Sequence, residues 1–100
     1  MIRGTTPTHV FKLHLDTSQI KTIVICYAQN DEVKLLKWTE DCTLEGENAS
    51  VQLSQEETLS FKGDTSIKAQ VRVLLKNGEA PAFRPVWIWC DDVLYGEVLV

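Results

Sequence analysis

SIKAQVRVLLKNGEAPAFRPVWIWC, residues 66–90, has the pattern of a long β-hairpin. Ile67, Ala69, Val71, Val73 and Leu75 recur at every second position, with Lys68, Gln70 and Arg72 between them and Leu74 as the apolar exception. Such alternation puts one set of side chains on a buried sheet face and the other on a solvated one. Asn77-Gly78 has the chemistry of a type I′ turn, which needs φ > 0 at both central residues and matches the twist of paired strands. The return arm carries Phe83, Val86, Trp87, Ile88 and Trp89. Pro81 and Pro85 have no N–H to give a ladder, so this arm belongs at a sheet edge or a bulge. An edge strand with apolar side chains on both faces invites pairing with another chain. Trp87 and Trp89 share one face; Val86, Ile88 and Cys90 share the other. If the second set continues the buried face of residues 67–75, both indoles point outward as a contact surface. In the alternative the indoles are core and the aliphatic side chains pack a second layer. Alternation alone leaves both readings open.

Upstream, the same period-two pattern recurs in short runs. Thr8 to Leu15 reads as a strand with Phe11, Leu13 and Leu15 on one face, His9 joining them, and His14 on the wet face. Asp16-Thr17-Ser18 is a turn signal in which Asp16 caps one helical turn through Ile20. Lys21 to Gln29 follows as a strand whose centre, Ile23 to Tyr27, is continuously apolar. A run of that kind is covered on both faces or packs against a neighbouring subunit. Asn30-Asp31 turns the chain, and Glu32 to Thr39 returns with its faces less cleanly sorted. Glu40-Asp41 interrupts the pattern, Cys42 to Leu44 resumes it, and Ala49, Val51 and Leu53 form another short strand. Ser54 and Glu57 fit a capping box for a single helical turn from Gln55 to about Ser60, with Leu59 and Phe61 directed into the core. After Cys90 the chain ends on Val98-Leu99-Val100, whose alternation fits either a last strand within the chain or docking on another chain. Six or seven short strands separated by turns, with no helix long enough for a βαβ unit, make an antiparallel β-sandwich the expected fold and a small barrel the second choice.

The totals agree with one globular domain over residues 1–100. Apolar residues make up 44% and charged residues 24% of the chain, an ordinary globular balance. The formal charge of −4 and the scattered basic residues argue against a nucleic-acid partner. Met1 to Pro7 has one charge and no apolar stretch, so no signal peptide is expected, and no apolar run has the length of a membrane span. The cysteines, Cys26, Cys42 and Cys90, are odd in number and far apart, which reads as reduced structural thiols rather than a zinc knuckle or a disulfide framework.

Chemistry-bearing motifs are absent. The five glycines form no phosphate loop. Nucleophile candidates Ser18, Ser54 and Cys42 have no histidine in local reach, and His9 and His14 share one strand. Asp91-Asp92 follows an aromatic strand and has the chemistry for a cation, but adjacent acids more often keep a strand end soluble.

Several segments together resemble a group of small proteins. They are MIRGTTPTH (1–9), DTSQIK (16–21), YAQ (27–29), TEDCTLEG (39–46), LSQEETL (53–59) and AQVRV (69–73). The group is encoded in the tail region of prophages of intestinal Firmicutes, and the similarity covers nearly the whole chain. These proteins are in turn similar to the N-terminal β-sandwich domain of phage baseplate upper proteins. The resemblance implies an all-β, Ig-like antiparallel sandwich of six to eight short strands with one or two single helical turns. It also implies no enzymatic activity, no cofactor or metal, and a structural role in a tail or baseplate. The protein would be a virion component made in the bacterial host cytoplasm. Its partners would be other tail or baseplate proteins, or further copies in a homo-oligomer. The sequence departs from the group at Trp87-Ile88-Trp89-Cys90, where smaller or more polar residues are expected.

The candidate interface is therefore Pro81, Phe83, Pro85, Trp87, Trp89 and Leu99. The alternative function is a carbohydrate-binding module that stacks a sugar on Trp87 and Trp89. A third, an enzyme or metal protein built on Cys42, Asp91 and a histidine, has the least in its favour.

Overall fold

The computed structural model describes every residue, Met1–Val100. Two antiparallel sheets pack face to face. Strands β1 (Thr8–Lys12), β5 (Asn48–Gln52) and β4 (Cys42–Glu45) form a three-stranded sheet in the order β1-β5-β4. Strands β3 (Glu32–Trp38), β2 (Ile20–Gln29), β6 (Thr65–Leu75) and β7 (Val86–Cys90) form a four-stranded sheet in the order β3-β2-β6-β7. Each time the chain crosses between sheets it makes one helical turn: 3₁₀ turns at Thr17–Gln19 and Thr39–Asp41, and helix α1 at Gln55–Leu59. The β-sandwich expected from the alternation is the fold observed.

Local chemistry accounts for the crossings. Asp16 caps the first turn by accepting from Ser18 N at 3.0 Å. Asp41 Oδ2 accepts from Trp38 N at 2.9 Å and closes the second. Before α1, Ser54 Oγ accepts from Glu57 N while Glu57 accepts from Ser54 N at 2.8 Å, the reciprocal capping box expected at these two residues.

The core lies between the sheets. β2 contributes Ile23, Ile25 and Tyr27, β6 contributes Ile67, Ala69, Val71 and Val73, and the facing sheet contributes Ala49 and Val51, all buried. Phe61, just past α1, is buried with them, as expected, whereas Leu59 is half-buried. Three polar side chains are also buried, each with a partner distant in sequence. Gln29 bonds both backbone groups of Lys62. Thr58 accepts from Gly4 N and donates to Thr5 O. Thr17 donates to Gly46 O at 2.8 Å.

The hairpin of residues 66–90 is real but differs from its sequence reading in two respects. Only Gly78 of the Asn77-Gly78 pair has positive φ. Gly78 N donates to Leu75 O and Leu75 N to Glu79 O, so the loop is a turn of three residues closed by a left-handed glycine, not a type I′ turn. The two-residue turn with φ > 0 at both positions is at Asn30 (φ 50) and Asp31 (φ 62). The return arm also pairs late: Val86 opposes Ala69 and Cys90 opposes Thr65, while residues 80–85 form no ladder. β1 is shorter than expected, stopping at Lys12 before His14, which takes positive φ (57°).

Candidate interaction surface

The register of β7 fixes where its tryptophans point. Ile88 stands opposite Ile67, which is fully buried, so Ile88 and Cys90 face the core and Trp87 and Trp89 face outward. Trp87 is 67% and Trp89 54% exposed. Of the two placements that alternation left open, the surface one holds.

The same outward face is apolar on the far edge of the sheet. Val24 lies between Trp38 and Arg72, Cys26 between Leu36 and Gln70, and Ala28 between Val33 and Lys68. Trp87 stands opposite Lys68. Trp38, Leu36 and Val33 are exposed, while Val24, Cys26 and Ala28 are half-covered by their neighbours alone. The continuous apolar run of β2 is thus buried on one side and uncovered on the other. The result is a sheet face with aromatic and aliphatic margins and a seam of Lys68, Gln70 and Arg72 down its centre. The Lys68 ammonium sits 5.6 Å from the Trp87 ring centroid, a cation–π arrangement that orients both side chains. Trp89 Nε1 donates to Asp91 Oδ1 at 3.0 Å. Between the Asn30-Asp31 turn and Trp87 the face dips into an open depression of ≈ 540 Å³, lined in part by Cys26, Asp31, Lys68, Gln70 and Trp87.

β7 is an edge strand, as its prolines indicate, but its edge is largely closed. Met1 N donates to Trp89 O, Arg3 N to Asp91 O, and Asp91 N to Met1 O, so the first three residues run parallel to the end of β7. Trp87 keeps both outer backbone groups free and Trp89 its N–H, and Pro85 beyond them has no N–H. The expectation that this edge invites strand pairing is corrected: what β7 offers is its face.

The other members of the candidate interface do not join the tryptophans. Phe83 turns inward and lines a groove at the open side of the sandwich, ≈ 420 Å³, with Phe11, Val71, Val86 and Ile88. Pro81 and Pro85 are half-buried. Leu99 lies at the start of α1, where the Gln55 amide bonds its N–H (2.8 Å) and C=O (3.1 Å). Residues 93–100 form no strand within the chain, and Leu94, Tyr95, Leu99 and Val100 are exposed.

The titratable groups have structural partners. Asp92 takes the Arg3 guanidinium at 2.6 Å, which holds its carboxyl below the usual range, while Asp91 takes Trp89. The adjacent acids thus serve different partners. No three His, Cys, Asp or Glu side chains converge as metal ligands. His9 Nδ1 and Tyr27 Oη share a 2.7 Å hydrogen bond under the sheet. Burial pushes the His9 ring toward its neutral form and, with the Glu57 carboxylate nearby, keeps the Tyr27 phenol protonated. Burial also pushes all three thiols up, so none is an activated nucleophile. No helix is long and apolar enough to cross a membrane.

No family model matches the chain, and no curated protein or solved structure shows significant similarity to it.

Proposed function

We propose that this protein is a non-enzymatic structural module of a phage tail or baseplate, binding other tail proteins or further copies of itself. The observation that carries the reading is the outer face of the four-stranded sheet. Trp87 and Trp89 on one margin and Trp38, Leu36 and Val33 on the other are exposed on the same face, with an Arg–Lys seam between them. Contiguous exposed apolar surface marks an interaction site, and Trp and Arg are the residues that dominate interface energetics. The sequence resemblance to prophage tail proteins supplies the setting, a virion component. The raised thiols and the lack of converging ligands support a binding role over a chemical one.

The test is co-expression with the products of the neighbouring genes, followed by gel filtration with mass measurement. A stable complex, lost on Trp87→Lys or Trp38→Lys, is the expected result. A protein that stays at 11.3 kDa and binds none of its neighbours removes the reading.

A carbohydrate-binding role has one specific observation in its favour. Trp87 walls a depression that also presents Asp31, Lys68 and Gln70, a mixed donor and acceptor set with one charge of each sign, suited to neutral hydroxyls. Quenching or enhancement of indole fluorescence by neutral disaccharides, abolished in Trp87→Ala, would favour this role; an unchanged spectrum would end it.

A further inference from the structure

β1, five residues long, is an edge strand whose outer side is unobstructed. It pairs only with β5, and its register fixes which backbone groups are spare. Leu53 N bonds Pro7 O and Leu13 N bonds Glu47 O, so the odd residues around β1 face β5. Alternation leaves the N–H and C=O groups of Thr8, Val10 and Lys12 along the free edge. Besides this row of donors and acceptors lies the ≈ 420 Å³ groove that opens between the sheets, floored by Phe11, Val71, Phe83 and Ile88. Val10 is 61% exposed, and Lys12 and Arg84 stand on the rim in no ion pair.

The segment that fits this edge is in the chain itself. Residues 97–100, Glu-Val-Leu-Val, are extended in pattern, apolar and solvent-facing, with one acid at the start. Antiparallel pairing of Glu97 with Lys12 sets Val98 against Phe11, Leu99 against Val10 and Val100 against His9. In that register Val98 and Val100 enter the groove, since Phe11 and His9 face inward. Leu99 covers the exposed Val10 on the outer face, and Glu97 meets the unpaired Lys12 beside it. Strand alternation places an apolar side chain at the three apolar positions and the acid opposite the lysine.

Leu99 already makes a surrogate of this pairing. The Gln55 amide bonds both its N–H and its C=O, as one rung of a β-ladder would. Those are the two groups that would meet the spare N–H and C=O of Val10. Gln55 therefore holds the segment in reserve, and strand pairing replaces one satisfied rung by a longer ladder plus the buried valines.

We propose that residues 97–100 of one copy add as an antiparallel strand to the β1 edge of a second copy, with Val98 and Val100 seated in the groove between the sheets. This rests on the self-association part of the function proposed above and names its contact; addition of a strand to a free sheet edge is an established mode of peptide recognition.

The test is sedimentation or light-scattering mass as a function of concentration, on the full chain at low salt. Wild-type mass should rise with concentration. Lys12→Glu and Glu97→Lys should each weaken association about tenfold by setting like charges opposite one another. The double variant, or a one-to-one mixture of the two single variants, should restore it. Gln55→Ala frees Leu99 and should strengthen association, an effect a merely structural Gln55 would not have. Val98→Asp should abolish association, its fold checked by circular dichroism. A monomer at every concentration, including in Gln55→Ala, overturns the proposal, as does failure of the charge-swapped pair to recover. If association is instead lost on Trp38→Lys or Trp87→Lys and indifferent to residues 12, 97 and 98, the module self-associates through its sheet face and the β1 assignment is wrong.

Discussion

Gln29 closes one end of the sandwich, and its removal should be among the costliest polar substitutions in the chain. It is the last residue of β2 and only 3% exposed. Its Nε2 donates to Lys62 O at 2.8 Å and its Oε1 accepts from Lys62 N at 2.6 Å. One side chain thus satisfies both backbone groups of a residue leaving α1 for β6. Gln29→Ala strands the N–H and the C=O together. An unsatisfied buried polar group costs about 1–3 kcal/mol, and Lys62 lies partly open to water, so we expect a loss of about 2–4 kcal/mol. For a domain of this size that lowers Tm by roughly 10–25 °C. Urea unfolding followed by circular dichroism should show the midpoint falling with the slope unchanged, since no surface exposed on unfolding is lost. Gln29→Glu refines the test. An ionised carboxylate accepts from Lys62 N but cannot donate to Lys62 O, whereas the protonated acid does both. The fold therefore raises the pKa of the introduced carboxyl. Its stabilising contribution is full below the unfolded pKa and disappears as the pH rises through the folded one. A Gln29→Ala cost below about 1 kcal/mol, or a Gln29→Glu variant whose stability relative to wild type ignores pH, would refute the account, because water would then be replacing the amide.

Three further outcomes follow from the same geometry. A Cβ added at Gly63 would overlap Asp92 Cβ and lie 2.7 Å from Asp92 Cα, so Gly63→Ala should destabilise by about 1–3 kcal/mol in chemical denaturation and loosen the Arg3–Asp92 pair. On acidification, the carboxyls of Glu57 and Asp92 have folded pKa values below their ordinary ones. In Glu57, burial opposes the shift but the 2.7 Å contact with Lys37 and the cap to Ser54 outweigh it; in Asp92 the Arg3 hydrogen bond leads. Their stabilisation is present above the unfolded pKa and is lost as the pH falls through the folded one, so an acid titration of Tm should steepen below about pH 4, and less so in Lys37→Met. Iodoacetamide at neutral pH should label Cys26 and Cys42 slowly, and Cys90, fully buried, only at the rate of unfolding; rapid labelling of any one would contradict its raised pKa.

How much of this was legible in the sequence depends on the range of the interaction. β6 was fully so: Ile67, Ala69, Val71 and Val73 are buried and Lys68, Gln70 and Arg72 exposed, because a strand's period acts residue by residue. The Asp16 cap and the Ser54/Glu57 box were legible because both partners lie within one helical turn. Asn77-Gly78 misled because the same dipeptide also ends a three-residue loop, where only the glycine is left-handed and Asn77 Oδ1 accepts from Glu79 N. The orientation of Trp87 and Trp89 needed one long-range fact, the pairing of Ile88 with Ile67, which no local pattern contains. Gln29, Thr58 and Thr17 were invisible as structural residues. Their partners are 33, 53 and 29 positions away, and nothing in a polar side chain's own neighbourhood announces a distant backbone group.

The edges of the sandwich separate the ways in which it can meet a partner. β3 carries Lys37 on its inward side, bound to Glu57, and an inward charge on an edge strand resists the approach of another strand. β7 is closed at one end by Met1–Arg3 and blocked at the other by Pro85. β4 is only four residues long. β1 has none of these devices: no backbone group beyond β5 bonds it, its outward side presents Val10, and the groove beside it is floored by apolar side chains. Unprotected edges are open to the addition of another strand, and β1 is the edge with the fewest of these devices. Face-to-face contact through the tryptophan margin and strand addition at β1 engage opposite sheets. One copy could therefore make both contacts at once.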